Sequence, residues 1–293
     1  MKNARIAAAA AALAFAAPAA QAADLPLWEA GIGVAALAFP DYRGSSQSST
    51  YALPAPYFVY RGEIFKADRH GLRGIFFKTD RIDLNLSVGA SLPVDSEDNR
   101  AREGMPDLRP SVEAGPSLDI HLWRTGDLRS KLDLRLPLRG AVTVESDPRY
   151  IGLQFFPHLN VDVQDPAGMS GWNLGVLAGP VFTDARYNRH FYSVPREYAT
   201  ATRPAYEPGS GYAGMQFIVA LSKRFPKFWI GGFARYDTLR GAAFEDSPLV
   251  TSKRYAAGGI GISWILGESS QRVAAEAIPA LYPVAPAKAG IHQ

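Results

Sequence analysis

The feature that most constrains this chain is strict two-residue alternation carried over long stretches. Residues 81–92 read RIDLNLSVGASL. Ile82, Leu84, Leu86, Val88 and Ala90 fall on one parity, and Arg81, Asp83, Asn85 and Ser87 on the other. That period places the two sets on opposite faces of a β-strand. The same pattern runs through 131–144, where Leu132, Leu134, Leu136, Leu138, Val142 and Val144 oppose Lys131, Asp133, Arg135 and Arg139. Residues 117–123 set Leu118, Ile120 and Leu122 against Asp119, His121 and Trp123, and 157–163 set Leu159, Val161 and Val163 against His158, Asn160 and Asp162. Each strand has one dry face, and either a second protein layer or a bilayer could cover it.

Three observations favour the bilayer. First, the chain opens with an export signal. Lys2 and Arg5 precede the apolar run IAAAAAALAFAA, and Ala20-Gln21-Ala22 forms a small-residue cleavage site, so residues 1–22 read as a signal peptide cut after Ala22. Second, twelve strand-like segments recur, near 28–39, 51–61, 63–68, 71–79, 81–92, 111–123, 128–144, 150–164, 171–184, 210–223, 227–240 and 253–266. Several reach the 9–11 residues that a tilted membrane strand needs, longer than the usual soluble strand. Third, the links sort by parity. One set is mostly tight (61–62, 79–80, 124–127 and 225–226, with a longer one at 165–170). The other includes the long polar stretches 40–50, 93–110, 185–209 and 241–252, with brief exceptions at 69–70 and 145–149. Short turns at one end and long loops at the other are the habit of outer-membrane barrels. The expected fold is therefore all-β: an up-and-down, antiparallel transmembrane β-barrel of about twelve strands over 23–266, followed by a disordered Ala/Pro-rich tail at 267–293. A periplasmic β-sandwich is the competing architecture.

Composition sharpens the functional reading. Lys and Arg total 31 against 28 Asp and Glu, so loss of the two signal-peptide cations leaves a net charge of +1. No basic run accompanies it, which argues against nucleic acid as a partner. There is no cysteine, hence no disulfide framework and no thiolate metal site. A mean hydropathy of −0.08 is compatible with a barrel, because only alternate residues face lipid.

Several sequence blocks resemble the MipA/OmpV family of outer-membrane proteins: PDYRGS (40–45), PYFVYRG (56–62), REGMPDLRPSVEAGP (102–116), PLRG (137–140), FYSV (191–194), RPAYEPGSGYAG (203–214) and DSPLV (246–250). They occur in order between residues 28 and 266. The resemblance implies an outer-membrane scaffold that brings a lytic transglycosylase together with a murein synthase, with outer-membrane lipid as its surroundings. It carries no catalytic residues. The last strand ends on SWIL, with Trp264 standing in for the terminal aromatic residue common in such barrels.

By parity, the lumen should collect Arg81, Lys131, Arg135, Arg139 and Arg235 with Asp83, Asp119, Asp133, Asp162 and Asp237. Five charges of each sign suit either a weakly selective pore or a salt-bridged interior that braces a narrow barrel. The loop 185–209 offers Arg189, Tyr192, Tyr198, Arg203 and Tyr206 as candidates for partner contact, unless the loop folds over the barrel mouth and packs on itself. The acidic cluster Asp95, Glu97 and Asp98 lacks the EF-hand spacing. His70, His121, His158, His190 and His292 form no zinc-ligand motif, and no GxSxG occurs. No cofactor, metal or enzymatic activity is expected. Two functions remain, a scaffold and a passive pore or transporter for small solutes; an outer-membrane hydrolase lacks residues to carry its reaction.

Overall fold

The computed structural model describes residues 25–61, 65–68, 71–127 and 129–273. The expected signal peptide lies outside them, as does the expected tail beyond Val273. Twelve antiparallel strands close on themselves in chain order: β1 (Trp28–Pro40), β2 (Ser48–Arg61), β3 (Phe65–Asp68), β4 (Gly71–Lys78), β5 (Ile82–Ser91), β6 (Ser111–Arg124), β7 (Ser130–Thr143), β8 (Tyr150–Phe155 and His158–Gln164), β9 (Trp172–Thr183), β10 (Gly211–Arg224), β11 (Phe228–Thr238) and β12 (Arg254–Glu268). The two segments of β8 keep one register against β7, with Phe155 opposite Leu138 and His158 opposite Arg135. Pro157, which has no N–H to donate, interrupts the ladder between them. β12 pairs with β1 and completes the ring.

The dry face points outward. Ile32, Val34, Phe58, Ile260 and Leu266 are exposed around the wall, Leu266 by 74%. A barrel is the sheet form that pairs most of its ladder groups within the wall while presenting such a surface. Exposed aromatic residues cluster towards the two rims: Trp28, Trp123 and Trp264 near the short-turn end, and Tyr150, Phe182, Phe217 and Tyr236 near the long-loop end. These are the positions of the two interfacial girdles. The short-turn end is thus the periplasmic rim.

β12 runs to Glu268, two residues past the expected boundary at Leu266. Beyond it Arg272–Val273 pairs with Leu25–Pro26, so the start and finish of the described chain meet at the periplasmic rim. The wall is thinnest at β3 and β4. Among the described residues, β3 meets β2 at Tyr60 and Arg61, and β4 meets β5 over 75–78.

Candidate functional site: a capped, charged lumen

Inward parity brings the charged residues of β5 to β8 onto one wall. Asp119, Asp133 and Asp162 are buried there. Arg135 stands 3.6, 3.6 and 3.7 Å from Asp119, Asp133 and Asp162, and Lys131 lies 3.6 and 3.3 Å from Asp133 and Asp162. His121 bridges two further carboxylates, Nδ1 to Asp133 at 2.8 Å and Nε2 to Asp83 at 3.3 Å. Its sequence neighbour Asp119 instead accepts from Asn85 and Ser117. Higher on β7, Arg139 donates to Ser87 at 2.9 Å and lies 3.6 Å from Glu113.

A second cluster sits below the cell-surface mouth. Asp237 is fully buried and accepts from Arg235 at 2.7 Å, from Arg43 at 3.0 Å and from Tyr255. A third closes the periplasmic rim, where Glu29, also fully buried, receives Arg61 and Arg224 at 2.9 Å and the Tyr57 hydroxyl at 2.9 Å. Buried carboxylates of this kind are tolerated because each is met by charge-assisted donors.

Nine of the ten lumen candidates therefore lie on the inner wall. Arg81 does not. It sits in the turn before β5 and is exposed, because its parity runs out at the periplasmic rim before a lumen wall exists for it to face. Glu29, Arg43, Arg61, Glu113 and Arg224 belong to the same interior network and were not anticipated. Glu29 had a signal: a lone charge at inward parity in WEAGIGVAALAFP.

Over the mouth, loops 41–47, 92–110, 184–210 and 239–253 share a hydrophobic core that includes Tyr42, Leu108, Phe191, Tyr192, Phe244 and Leu249. Helix α1 (Ala185–Tyr192) is capped by the Asp184 carboxylate on the Tyr187 amide. It docks on β8 at Gly152, where φ is +127° and any side chain would strike the Tyr187 backbone. Tyr192 stacks on Phe244 with centroids 3.7 Å apart and donates to the Arg43 carbonyl at 2.9 Å. Arg203 donates to the carbonyls of Ala101, Glu103 and Tyr198, stapling two loops together.

The contact candidates of this loop take different places in the cap. Tyr192 is buried in the cap core and offers no outer surface. Tyr198 and Tyr206 pack against that core, Arg203 is committed to carbonyls, and Arg189 alone of the five is exposed, beside Glu207 at 3.2 Å. Burial among these residues pushes the Tyr42 hydroxyl up to about 12. It also pushes His190 down to about 4, with help from the charges of Arg102 and Arg149.

Beneath the cap lies a cavity of about 450 Å³, reached by Arg43, Arg135, Arg139 and Arg235. A second, of about 610 Å³, lies towards the periplasm against Leu37, Val59, Trp229 and Phe233. Arg135, Leu177 and Ile218 border both.

With the closed barrel and its interior established, the comparison with known proteins decides the family. The family described as MltA-interacting protein MipA matches residues 32–266. The chain belongs to the MipA family. The outer membrane protein OmpV of Vibrio cholerae serotype O1 is 25% identical over 202 residues, covering 67% of this chain and 71% of its own. Among solved structures, an outer-membrane channel from Pseudomonas putida F1 aligns at a TM-score of 0.41 and 14% identity, over 85% of this chain and 99% of its own. A bacterial polysaccharide outer-membrane secretin aligns at 0.38 and 9%, over 82% and 99%. This MipA-family chain is an outer-membrane β-barrel protein, as its dry exterior requires.

Proposed function

We propose that the protein is a non-enzymatic scaffold of the outer membrane. In this reading a rigid barrel holds a lytic transglycosylase and a murein synthase at its periplasmic face. The observation that carries the reading is the packed cap. A mouth filled by the shared core of four loops, above a lumen crossed by ion pairs, favours stiffness over flux. The family's description as MltA-interacting protein supports a protein partner on the periplasmic side. The surface available there includes the turns at 79–81, 125–127, 165–171 and 225–227 and the paired segments Leu25–Pro26 and Arg272–Val273. Capture of periplasmic proteins on the purified mature chain in detergent tests the reading. Enrichment of a transglycosylase and a synthase is expected, and recovery no greater than on an unrelated barrel of similar size would overturn it.

The two lumen cavities favour a second reading, a passive pore for small solutes, because they share a border at Arg135. Planar-bilayer recording separates the two. Steady unitary currents would support the pore, and a folded but silent barrel would remove it.

A further inference from the structure

β2 has one neighbour along most of its length. On one side all of Ser48–Arg61 from residue 48 to residue 60 pairs with β1. On the other, among the described residues, only Tyr60 and Arg61 find a partner, in β3. Among the described residues, 48–56 therefore present a free strand edge, and they do so at membrane depth: Pro54 and Pro56 lie opposite Val34 and Ile32, whose side chains are each 54% exposed on the lipid-facing wall. A free edge in hydrocarbon leaves N–H and C=O groups without partners, at a cost that membrane proteins avoid unless the edge lines a cavity.

The sequence at this edge fits a permanent opening. The Arg61 amide donates to Leu27 on the β1 side. Antiparallel ladders alternate the direction of their amides, so the even-numbered residues of β2 direct their nitrogens to the open side. Pro54 and Pro56 are even-numbered, and both lack the N–H that would otherwise be stranded there. Proline in strands is found at such edges. The missing donors also make the edge a poor template for another strand, which argues against a second copy or a partner's strand as its occupant.

The cavity beneath the cap reaches this gap. Its lining includes Tyr51 of β2 and, across the opening, Leu86, Val88 and Ala90 of β5. Those β5 residues have outward parity, so the cavity extends past the inner face to the bank of the strand. Just inside stands Arg139, whose closest partner is the Ser87 hydroxyl at 2.9 Å and whose carboxylate neighbour Glu113 is at 3.6 Å. One Glu113 oxygen is already taken by the Tyr187 hydroxyl at 2.8 Å.

We propose that the free edge of β2 and the facing bank of β5 form a lateral port between the lumen cavity and the outer-membrane hydrocarbon, and that it admits a single-chain amphiphile with an anionic head. The carboxylate or similar head sits at Arg139, and the acyl chain lies in the gap beside Tyr51 and Val88. A guanidinium fork suits a carboxylate, and the apolar side chains of Leu86, Val88 and Ala90 along the bank of β5 suit an acyl chain. This site stands whether or not enzymes dock at the periplasmic rim.

The test uses the full mature chain in lipid nanodiscs and a palmitate carrying a photoreactive diazirine at its chain end. Saturable labelling concentrated in 48–58 and 86–92 is expected, with at least a tenfold loss of affinity in Arg139→Met and retention in Arg139→Lys. Folding of each variant is verified by its heat-modifiable gel mobility, and Ala52→Trp, on β2, blocks the gap without touching Arg139. Labelling spread evenly over the outer wall, including Ile260 and Leu266, would mean boundary lipid only and would overturn the proposal. So would labelling that survives both Arg139→Met and Ala52→Trp, or labelling that is displaced equally by a zwitterionic phospholipid, which would assign the gap to bulk lipid.

Discussion

Asp237→Asn should loosen the cap without opening the barrel wall. Asp237 is wholly inaccessible and is the shared acceptor for Arg43, Arg235 and Tyr255. The amide keeps the shape but removes the charge, leaving two guanidiniums facing each other in a part-dry site. Breaking one partner out of a buried ion-pair cluster costs about 3–5 kcal/mol. Arg43 also holds the loop 41–47 to the rest of the cap, since its guanidinium donates to the Ala213 carbonyl and its own carbonyl accepts from Tyr192. The cost therefore falls on cap closure, and at about 1.4 kcal/mol per decade it raises the open population by roughly a hundredfold to a few thousandfold. Protease cleavage within 185–209, followed on the folded protein in micelles, reads that population when opening and closing outpace cleavage. Because the penalty comes from stranded cations, Asp237→Asn combined with Arg43→Met should recover part of it. Cleavage of the single variant at the wild-type rate, with heat-modifiability intact, would refute the view that this cluster fastens the cap.

Three further outcomes follow from the same geometry. The cap should weaken on acidification. His190 holds a proton less readily in the closed cap, at about 4, than when released, at about 6.5, so the open form gains protons as pH falls below 6.5. Closure loses up to about 2–3 kcal/mol by pH 4 and nothing above pH 7. Amide exchange in 185–192 against pH checks this, and His190→Phe should flatten the profile. Ile260→Arg, at a site 70% exposed on the lipid wall, should cost about 2–4 kcal/mol of folding into bilayers; an unchanged denaturant midpoint would contradict the membrane placement. Pro54→Val with Pro56→Val restores two amides facing the open side of β2, each worth about 1–3 kcal/mol if left unsatisfied. The double variant should lose stability or associate edge to edge in sedimentation analysis, and a monomer of wild-type stability would mean the edge is not free.

The barrel was legible because its evidence is local. Alternation in β5, β6 and β7 declares a two-faced strand within ten residues, and turn lengths sort the ends without any knowledge of pairing. All twelve expected segments correspond to strands. The interruption in β8 was also written locally, in Pro157, although the segment read as one strand. The cap was not legible, since its core joins Tyr42, Leu108, Tyr192 and Phe244 from four loops, and nothing in any one loop specifies the others. Tyr192 looked like a contact residue for that reason: tyrosine beside arginine serves equally at an interface and in a folded lid. Glu29 and Arg224 meet across 195 residues of chain, a distance over which spacing says nothing.

The interior also explains why charge identified one wall and missed the other. β5 to β8 advertise the lumen through aspartate, arginine and lysine, whereas β1, β12 and the part of β11 before Arg235 carry mostly glycine, alanine and apolar residues on both faces, so parity there does not distinguish lumen from lipid. The inner surface of that second wall is small because it receives large side chains. At Gly231 a Cβ would collide with the Trp229 indole, which lies across it, and Trp229 in turn packs against Tyr57 at a centroid distance of 6.3 Å. Gly259 likewise leaves room for Leu37 and Phe233. In an ordinary strand such glycines weaken the sheet by forgoing side-chain packing; here they let aromatic residues from neighbouring strands lie flat inside a narrow barrel. Between the ion-pair clusters at its two ends, the lumen thus sets an aromatic wall against the charged wall of β5 to β8. That arrangement gives the cavity near the periplasm its apolar lining at Leu37, Trp229 and Phe233 while Arg135 and Asp162 border it from the opposite wall.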